Sequence, residues 1–231
     1  ESHVDRSIND ANPFLISNIR GAFTILDIIT KQKKRMVHIS TDEVFGSLLQ
    51  GTADEQSKFN PSSPYAATKA AAELLINSYF TTYDSDVVIT RCTNNFGPRQ
   101  FVEKLIPKII ILANRNLKIP IYGEGKNIRD WIFVDNHCDA VEKALFNGKS
   151  GESYNISADN EIDNITIVKK ILQIMNKSED LIEFVEDRPG HDFRYSMSSK
   201  KIENELNWKI TTNFEQGLEK TIEWYLGNPE I

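Results

Sequence analysis

Apolar residues early in the chain recur at two alternating periods. From Phe14 to Thr30 they fall at Phe14, Leu15, Ile19, Phe23, Leu26 and Ile29, a spacing that predicts an amphipathic helix opened by the turn signal Asn12-Pro13. The cations of Lys31-Gln-Lys-Lys-Arg35 follow its end, where they suit the helix dipole. Met36-Val-His-Ile-Ser40 then reads as a short, nearly continuous apolar strand, the kind buried on both faces of a parallel sheet. Gly46 to Pro64 is a polar loop punctuated by Gly51, Pro61 and Pro64. A second long helix over Tyr65–Tyr83 and a second buried strand over Val87–Arg91 repeat the alternation.

Further along, the pattern predicts helices over Leu105–Asn114, Asp135–Phe146, Ile165–Met175, Lys200–Leu206 and Phe214–Leu226. Strands are predicted at Ile119–Tyr122, Trp131–Val134, Tyr154–Ile156 and Ile182–Val185, with a turn at Gly123-Glu-Gly125. Helices alternating with short apolar strands across short links indicate an α/β fold built on a parallel sheet, with a smaller α/β portion towards the C-terminus. Internal repeats and low-complexity tracts are lacking.

Composition narrows the function without naming it. The 231 residues carry 27 Lys+Arg against 33 Asp+Glu, a net charge of −6, which disfavours a general nucleic-acid binder. An anionic small molecule needs only a few placed cations and stays open. Two cysteines, Cys92 and Cys138, lack metal-ligand spacing and read as reduced core thiols of a cytoplasmic protein. His191 has no partner pattern around it, and no metal is expected. Lys108 interrupts the longest apolar run, Leu105–Ala113, well short of the ~18 residues a membrane helix needs.

Chemistry concentrates at Tyr65 and Lys69, in Pro-Tyr-Ala-Ala-Thr-Lys. A four-residue offset puts both side chains on one face of a helix start. A neighbouring ammonium favours phenolate, so Tyr65 could take a hydroxyl proton while the same carbon loses hydride. That spacing alone also describes an ordinary solvated pair. Directly after the first strand come Thr41, Asp42 and Glu43, at the carboxyl end where open α/β sheets place their ligand crevice. Adjacent carboxylates there can divide acid and base roles if their pKa values are pushed apart.

These features together resemble the extended short-chain dehydrogenase/reductases, and within them the nucleotide-sugar 4,6-dehydratases, most of all those acting on dTDP-glucose. The likeness runs through Glu1-Ser-His-Val-Asp-Arg-Ser7, Ser40-Thr-Asp-Glu-Val44, Ser63-Pro-Tyr-Ala66, Asn94-Asn-Phe-Gly-Pro98, Glu103-Lys-Leu-Ile-Pro107, Arg129-Asp-Trp131 and Asp187-Arg-Pro-Gly-His-Asp192. It implies tightly bound NAD and a lyase reaction giving a 4-keto-6-deoxy sugar nucleotide. In it Tyr65, with Thr41 and Lys69, takes the C4 hydroxyl proton, Glu43 is the base at C5, and Asp42 protonates the departing C6 hydroxyl. The resemblance further implies cofactor contacts at Ser2, Ser17, Tyr65, Lys69 and Asn95. It places substrate contacts at Ser2, Thr41, Asn94, Lys104, Leu105, Pro120, Tyr122, Arg129, Asn164, Asp187, Arg188 and His191. Arg129 matches a phosphate-contacting arginine, although pairing with Asp130 on the surface would equally occupy it. Residues 1–96 and 130–156 would form the remainder of the NAD-binding domain, and 97–129 with 157–231 the interleaved nucleotide-sugar domain. A homodimer through the helices Phe14–Thr30 and Tyr65–Tyr83 is implied as well.

The family's Gly-rich strand-turn-helix has no counterpart in residues 1–231, since Gly123-Glu-Gly125 precedes no phosphate-binding helix. The expectation is therefore a truncated Rossmann-like sheet in a fragment that holds NAD weakly by itself. Phe45 and Phe96 stand where the family commonly has Tyr, and Ser17 where it has Thr. The alternatives are a related epimerase or decarboxylase, which usually lacks the adjacent carboxylates, or an inactive binding module.

Overall fold

The computed structural model describes residues 1–228 and Glu230. Its central layer is the parallel sheet β1 (Met36–Thr41), β2 (Val87–Cys92) and β6 (Ser153–Ile156), in the order β1-β2-β6. The register pairs Thr41 with Cys92, so the chain leaves the first two strands at one level, and the 3₁₀ turn Asp42–Phe45 begins there. A second sheet is β3 (Asn94–Phe96), β5 (Ile128–Phe133) and β7 (Glu161–Asp163), with β5 parallel to β3 and antiparallel to β7. The third is the parallel pair β4 (Ile119–Tyr122) and β8 (Ile182–Val185).

Local chemistry fixes the helices. At α4 (Pro64–Tyr83) the Ser63 hydroxyl accepts the Ala66 N–H, Pro64 fills the first turn, and left-handed Asp84 (φ 53°) ends it. This start places Tyr65 and Lys69 one turn apart. Asp163 caps α7 (Asn164–Ile174), and Asn213 with Gln216 forms a capping box on α9 (Phe214–Gly227). The bounds of α5 (Leu105–Asn114), β4, β8 and α8 (Lys200–Leu206) coincide with those read from the pattern. One core lies between α5, α7, α9 and the β3-β5 pair, around Phe96, Trp131 and Phe133. Another joins the first sheet to α6 (Val134–Asn147) and α8, around Tyr154 and Trp208.

Several expectations change. The first long helix is continuous over Asn12–Lys31, but its middle, Leu15–Gly21, is π-helical, flanked by α2 (Asn12–Phe14) and α3 (Ala22–Lys31). Its apolar stripe is largely turned outward: Leu15 is 48% and Phe23 43% exposed, whereas Phe14 and Leu26 are buried. By length and a hydropathy of 1.2 this helix could cross a membrane, yet its Asn18 amide donates to Thr68 of α4, fixing it to a neighbouring helix. Strand β1 is covered by α4 on one face and α6 on the other, but it is the edge of its sheet among the described residues and only partly buried, with Ile39 46% exposed. Cys92 and Cys138 are free, as expected, but Cys138 is exposed on α6 and is no core thiol. The short helix α1 (Val4–Asn9) and the three-residue strands β3 and β7 were not apparent in the pattern.

Candidate active site

Thr41, Asp42 and Glu43 occupy the turn that leaves the carboxyl end of β1. The Thr41 hydroxyl accepts the Glu43 N–H at 3.3 Å and donates to Asp42 Oδ1 at 3.2 Å, so one side chain orders both acids. Asp42 is buried and its Oδ2 has no partner. Burial, reinforced by the Glu43 charge and opposed by Arg129, pushes its pKa up to about 8. Asp42 is thus a carboxylic acid at neutral pH, able to donate a proton. Glu43 is also raised by burial, but the Arg129 and Arg188 charges act to keep it ionised. The two neighbouring carboxyls therefore have different electrostatic supports.

Tyr65 reaches the same place from α4. Its ring packs edge-on against Phe14 at 6.2 Å, and its N–H is accepted by the Ser7 hydroxyl at 3.1 Å. Burial raises its phenol well above the ordinary value, the Glu43, Cys92 and Asp42 charges add to this, and the Thr41 hydroxyl opposes. Lys69 is not one of the principal charges acting on that phenol. The Lys69 ammonium instead donates to the Ile39 carbonyl at 2.6 Å. Its own pKa is lowered by burial, against the Cys92 and Glu73 charges.

Beside the acids opens a cavity of ≈ 220 Å³. It is lined by Glu43 together with Ser2, Asn94, Lys104, Leu105, Pro120, Tyr122, Arg129, Asn164, Arg188 and His191, a set drawn from every part of the chain. Thr41 lies buried behind it and Asp187 accepts the His191 Nδ1 bond at 2.6 Å, holding that ring at the rim. Arg129 does not pair with Asp130. Successive strand residues face opposite ways, and Asp130 turns to Ser157, Ala158 and Asn160. Arg129 is buried over the Tyr195 ring, 4.3 Å from its centroid, and donates to the carbonyls of Ile128, Asp192 and Phe193. Among wall residues, sequence reasoning missed His3, Asp5, Lys108, Trp131 and Tyr195 as site residues; Tyr195 could have been found from its place just after the Asp187–Asp192 segment.

Of the expected cofactor contacts, Asn95 has a buried, unpartnered Oδ1 and lies next to the cavity residue Asn94. Ser17 is exposed on the π-helical stretch and does not line the cavity. Tyr65 and Lys69, at the start of α4, and Asn95, in β3, lie on the side of the sheet where β1 and β2 end, a placement compatible with the nicotinamide-ribose end of a dinucleotide. Gly123 and Gly125 do not form a phosphate cradle: they have φ of +55° and +70° in the β4–β5 turn, packed against Asp187 and Ile165.

Glu43 of the paired acids lines a cavity walled by Arg129, Arg188 and Lys104, whereas Asp42, Tyr65 and Lys69 do not reach its wall. With the parallel sheet, the Tyr/Lys pair and the acids define a Rossmann-type enzyme of the short-chain dehydrogenase/reductase class. The family model described as GDP-mannose 4,6 dehydratase matches residues 1–221, and the chain belongs to that family. It is 47% identical to the low-salt glycan biosynthesis protein Agl12 of Haloferax volcanii over 100% of this chain and 74% of that protein. It is 44% identical to a probable dTDP-glucose 4,6-dehydratase of Sinorhizobium fredii, over 99% of this chain and 70% of the relative. Among solved structures, DesIV, a dTDP-glucose 4,6-dehydratase from Streptomyces venezuelae with NAD bound, superposes with a TM-score of 0.98 at 41% identity, covering 100% of this chain and 72% of that one. A UDP-glucose 4-epimerase from Thermotoga maritima, at 21% identity and a TM-score of 0.94, shares the fold.

Proposed function

We propose that the protein is an NAD-dependent dehydratase that converts dTDP-glucose to dTDP-4-keto-6-deoxyglucose. The observation that carries this reading is the pair Asp42 and Glu43 beside Tyr65, with Asp42 neutral and Glu43 facing the cavity. When bound, NAD would supply the hydride chemistry, oxidation at C4 and reduction at C6. Tyr65 would take the C4 hydroxyl proton as its phenolate, a form that burial opposes and the Thr41 hydroxyl favours, with Lys69 the cation on the same helix. A ketone at C4 acidifies the C5 hydrogen, which Glu43 removes. Asp42 gives its proton to the C6 hydroxyl as water departs, and Glu43 returns a proton to C5 as C6 is reduced. The sequence needs one redox pair and one acid–base pair, and the site contains both.

The sugar nucleotide would lie along the cavity. Arg129, Arg188 and Lys104 supply the charge its diphosphate requires, with Ser2, Asn94 and Asn164 for hydroxyls and Leu105, Pro120 and Tyr122 beside the base. Asp187 and His191 hold the rim. NAD would meet Ser2, Ser17, Tyr65, Lys69 and Asn95. Residues 1–96 and 130–156 would then make the dinucleotide side and 97–129 with 157–231 the sugar-nucleotide side, α8 returning to pack on α6 and β6.

A homodimer through Asn12–Lys31 and α4 is supported by the outward apolar residues Leu15, Ile16, Phe23, Ile25 and Ile28 on the first helix and Leu74 on the second. Two free thiols favour a reducing, cytoplasmic setting. The full-length protein tests the reaction directly: incubated with dTDP-glucose it should yield a product absorbing in alkali, as a 4-keto-6-deoxy sugar does. A dTDP-galactose product without that absorbance would make it an epimerase and end this reading.

A further inference from the structure

Arg188 comes to the cavity from the loop after β8. A guanidinium offers two forks, the end-on pair Nη1/Nη2 and the side-on pair Nε/Nη2. Here Nη1 is taken, donating to Asp5 Oδ1 at 2.7 Å. Nε, in contrast, is buried and bonded to no protein atom. Asp5 stands in the first turn of α1 and is fixed from a second side, where the Tyr122 hydroxyl donates to Oδ2 at 3.3 Å. Helix α1 is itself clamped to the cavity wall, because Arg6 donates to Glu103 at 2.5 Å and Lys104 to the Ser2 carbonyl at 2.8 Å. Burial works against the Asp5 charge, but the bond and charge of Arg188 outweigh it and hold the carboxyl below its ordinary range.

We infer that Asp5 is a positioning residue for the anionic ligand: by holding Nη1 it fixes the guanidinium so that Nη2, bonded to no side chain or backbone among the described residues, stays turned to a phosphate oxygen. The inference rests on the reading of the substrate as a nucleoside-diphosphate sugar. The carboxylate also repels an incoming anion, but it does so from behind a guanidinium that neutralises it. An Arg188 freed to turn forfeits a charge-assisted contact held in place, and that loss is the larger. Asp5 therefore strengthens diphosphate binding although its own charge has the wrong sign. It touches neither the reacting sugar carbons nor the base.

The test uses the full-length protein and calorimetric titration with dTDP and with thymidine. Asp5→Ala should weaken dTDP by about tenfold and thymidine, through the freed Tyr122 hydroxyl, by no more than about twofold, a near-normal thymidine value certifying that the cavity is still folded. Arg188→Ala should weaken dTDP at least as much. The double variant should lose no more than about twofold beyond Arg188→Ala, since Asp5 acts on the diphosphate through Arg188 and its remaining bond, to Tyr122, is on the base side. In turnover, Asp5→Ala should raise KM with kcat nearly constant, and Asp5→Asn, which keeps an acceptor for Nη1, should recover part of the loss. Wild-type binding of dTDP with an unchanged or tighter Asp5→Ala, or fully additive losses, would overturn the role of Asp5 alone. A wild-type protein that does not bind dTDP would remove the substrate reading and this inference together.

Discussion

The Lys69 ammonium donates to the carbonyl oxygen of Ile39, two residues before Thr41, at 2.6 Å. The bond ties the start of α4 to the strand that delivers the acids, so Lys69 is a strut as well as a charge. Lys69→Met should remove both contributions, lowering kcat by at least about 100-fold and stability by about 1 kcal/mol. Tyr65→Phe should lower kcat by ~10²–10⁴-fold while the melting temperature stays near wild type. Steady-state rates and thermal melts on the same preparations separate the two effects.

Asp42 carries a pH signature. Its folded pKa of about 8 lies above the ordinary carboxylate value, so between the two the folded state holds a proton that the unfolded state has released. The stability associated with this group is complete below the unfolded pKa and is lost as pH rises through about 8. Asp42→Asn should flatten the fall in stability over that range, as read by urea unfolding at a series of pH values. Turnover that uses Asp42 as an acid should decline on the alkaline side of about 8 in the wild type.

Arg91 and Glu73 form an ion pair at 2.7 Å with both side chains almost wholly buried. Arg91 also lies over the rings of Phe45 and Phe59, so it joins α4 to the turn carrying the acids. Glu73→Ala leaves a buried guanidinium uncompensated and should cost about 3–5 kcal/mol in denaturant unfolding. A methionine pair at both positions should recover much of that cost, because packing replaces two desolvated charges.

The outward face of the first long helix predicts its own partner. Ile25, 55% exposed, is flanked by the exposed residues Phe23 and Ile28. Ile25→Glu should halve the mass seen by light scattering in solution and leave the melting temperature of the separated subunit little changed. A dimer of unchanged mass would place the contact elsewhere.

Much of the fold was legible because its elements carry strong periods. The bounds of α5 and α8 follow from apolar spacing, and α4 opens at a proline behind a capping serine. The strands β3 and β7 escaped because three residues have no measurable period. Periodicity also reports which face is apolar and not what lies against it, hence the outward Leu15 and Phe23 and the edge position of β1. Within the site, the Thr41–Glu43 turn and the Tyr65 helix were readable as local motifs. The Asp5–Arg188 pair was not, since its members lie 183 residues apart and only the fold brings them together. The destination of the Lys69 ammonium was hidden for the same reason: a backbone carbonyl leaves no mark in a sequence.

The most direct test of the proposed chemistry is the fate of the C5 hydrogen. The full-length protein should be given dTDP-glucose in heavy water and the product analysed by NMR and mass spectrometry. Exchange through Glu43 predicts one solvent deuterium at C5 of a 4-keto-6-deoxy product, and neither product nor label with Glu43→Gln. A product with no label at C5, or a Glu43→Gln variant that works at the wild-type rate, would contradict the account.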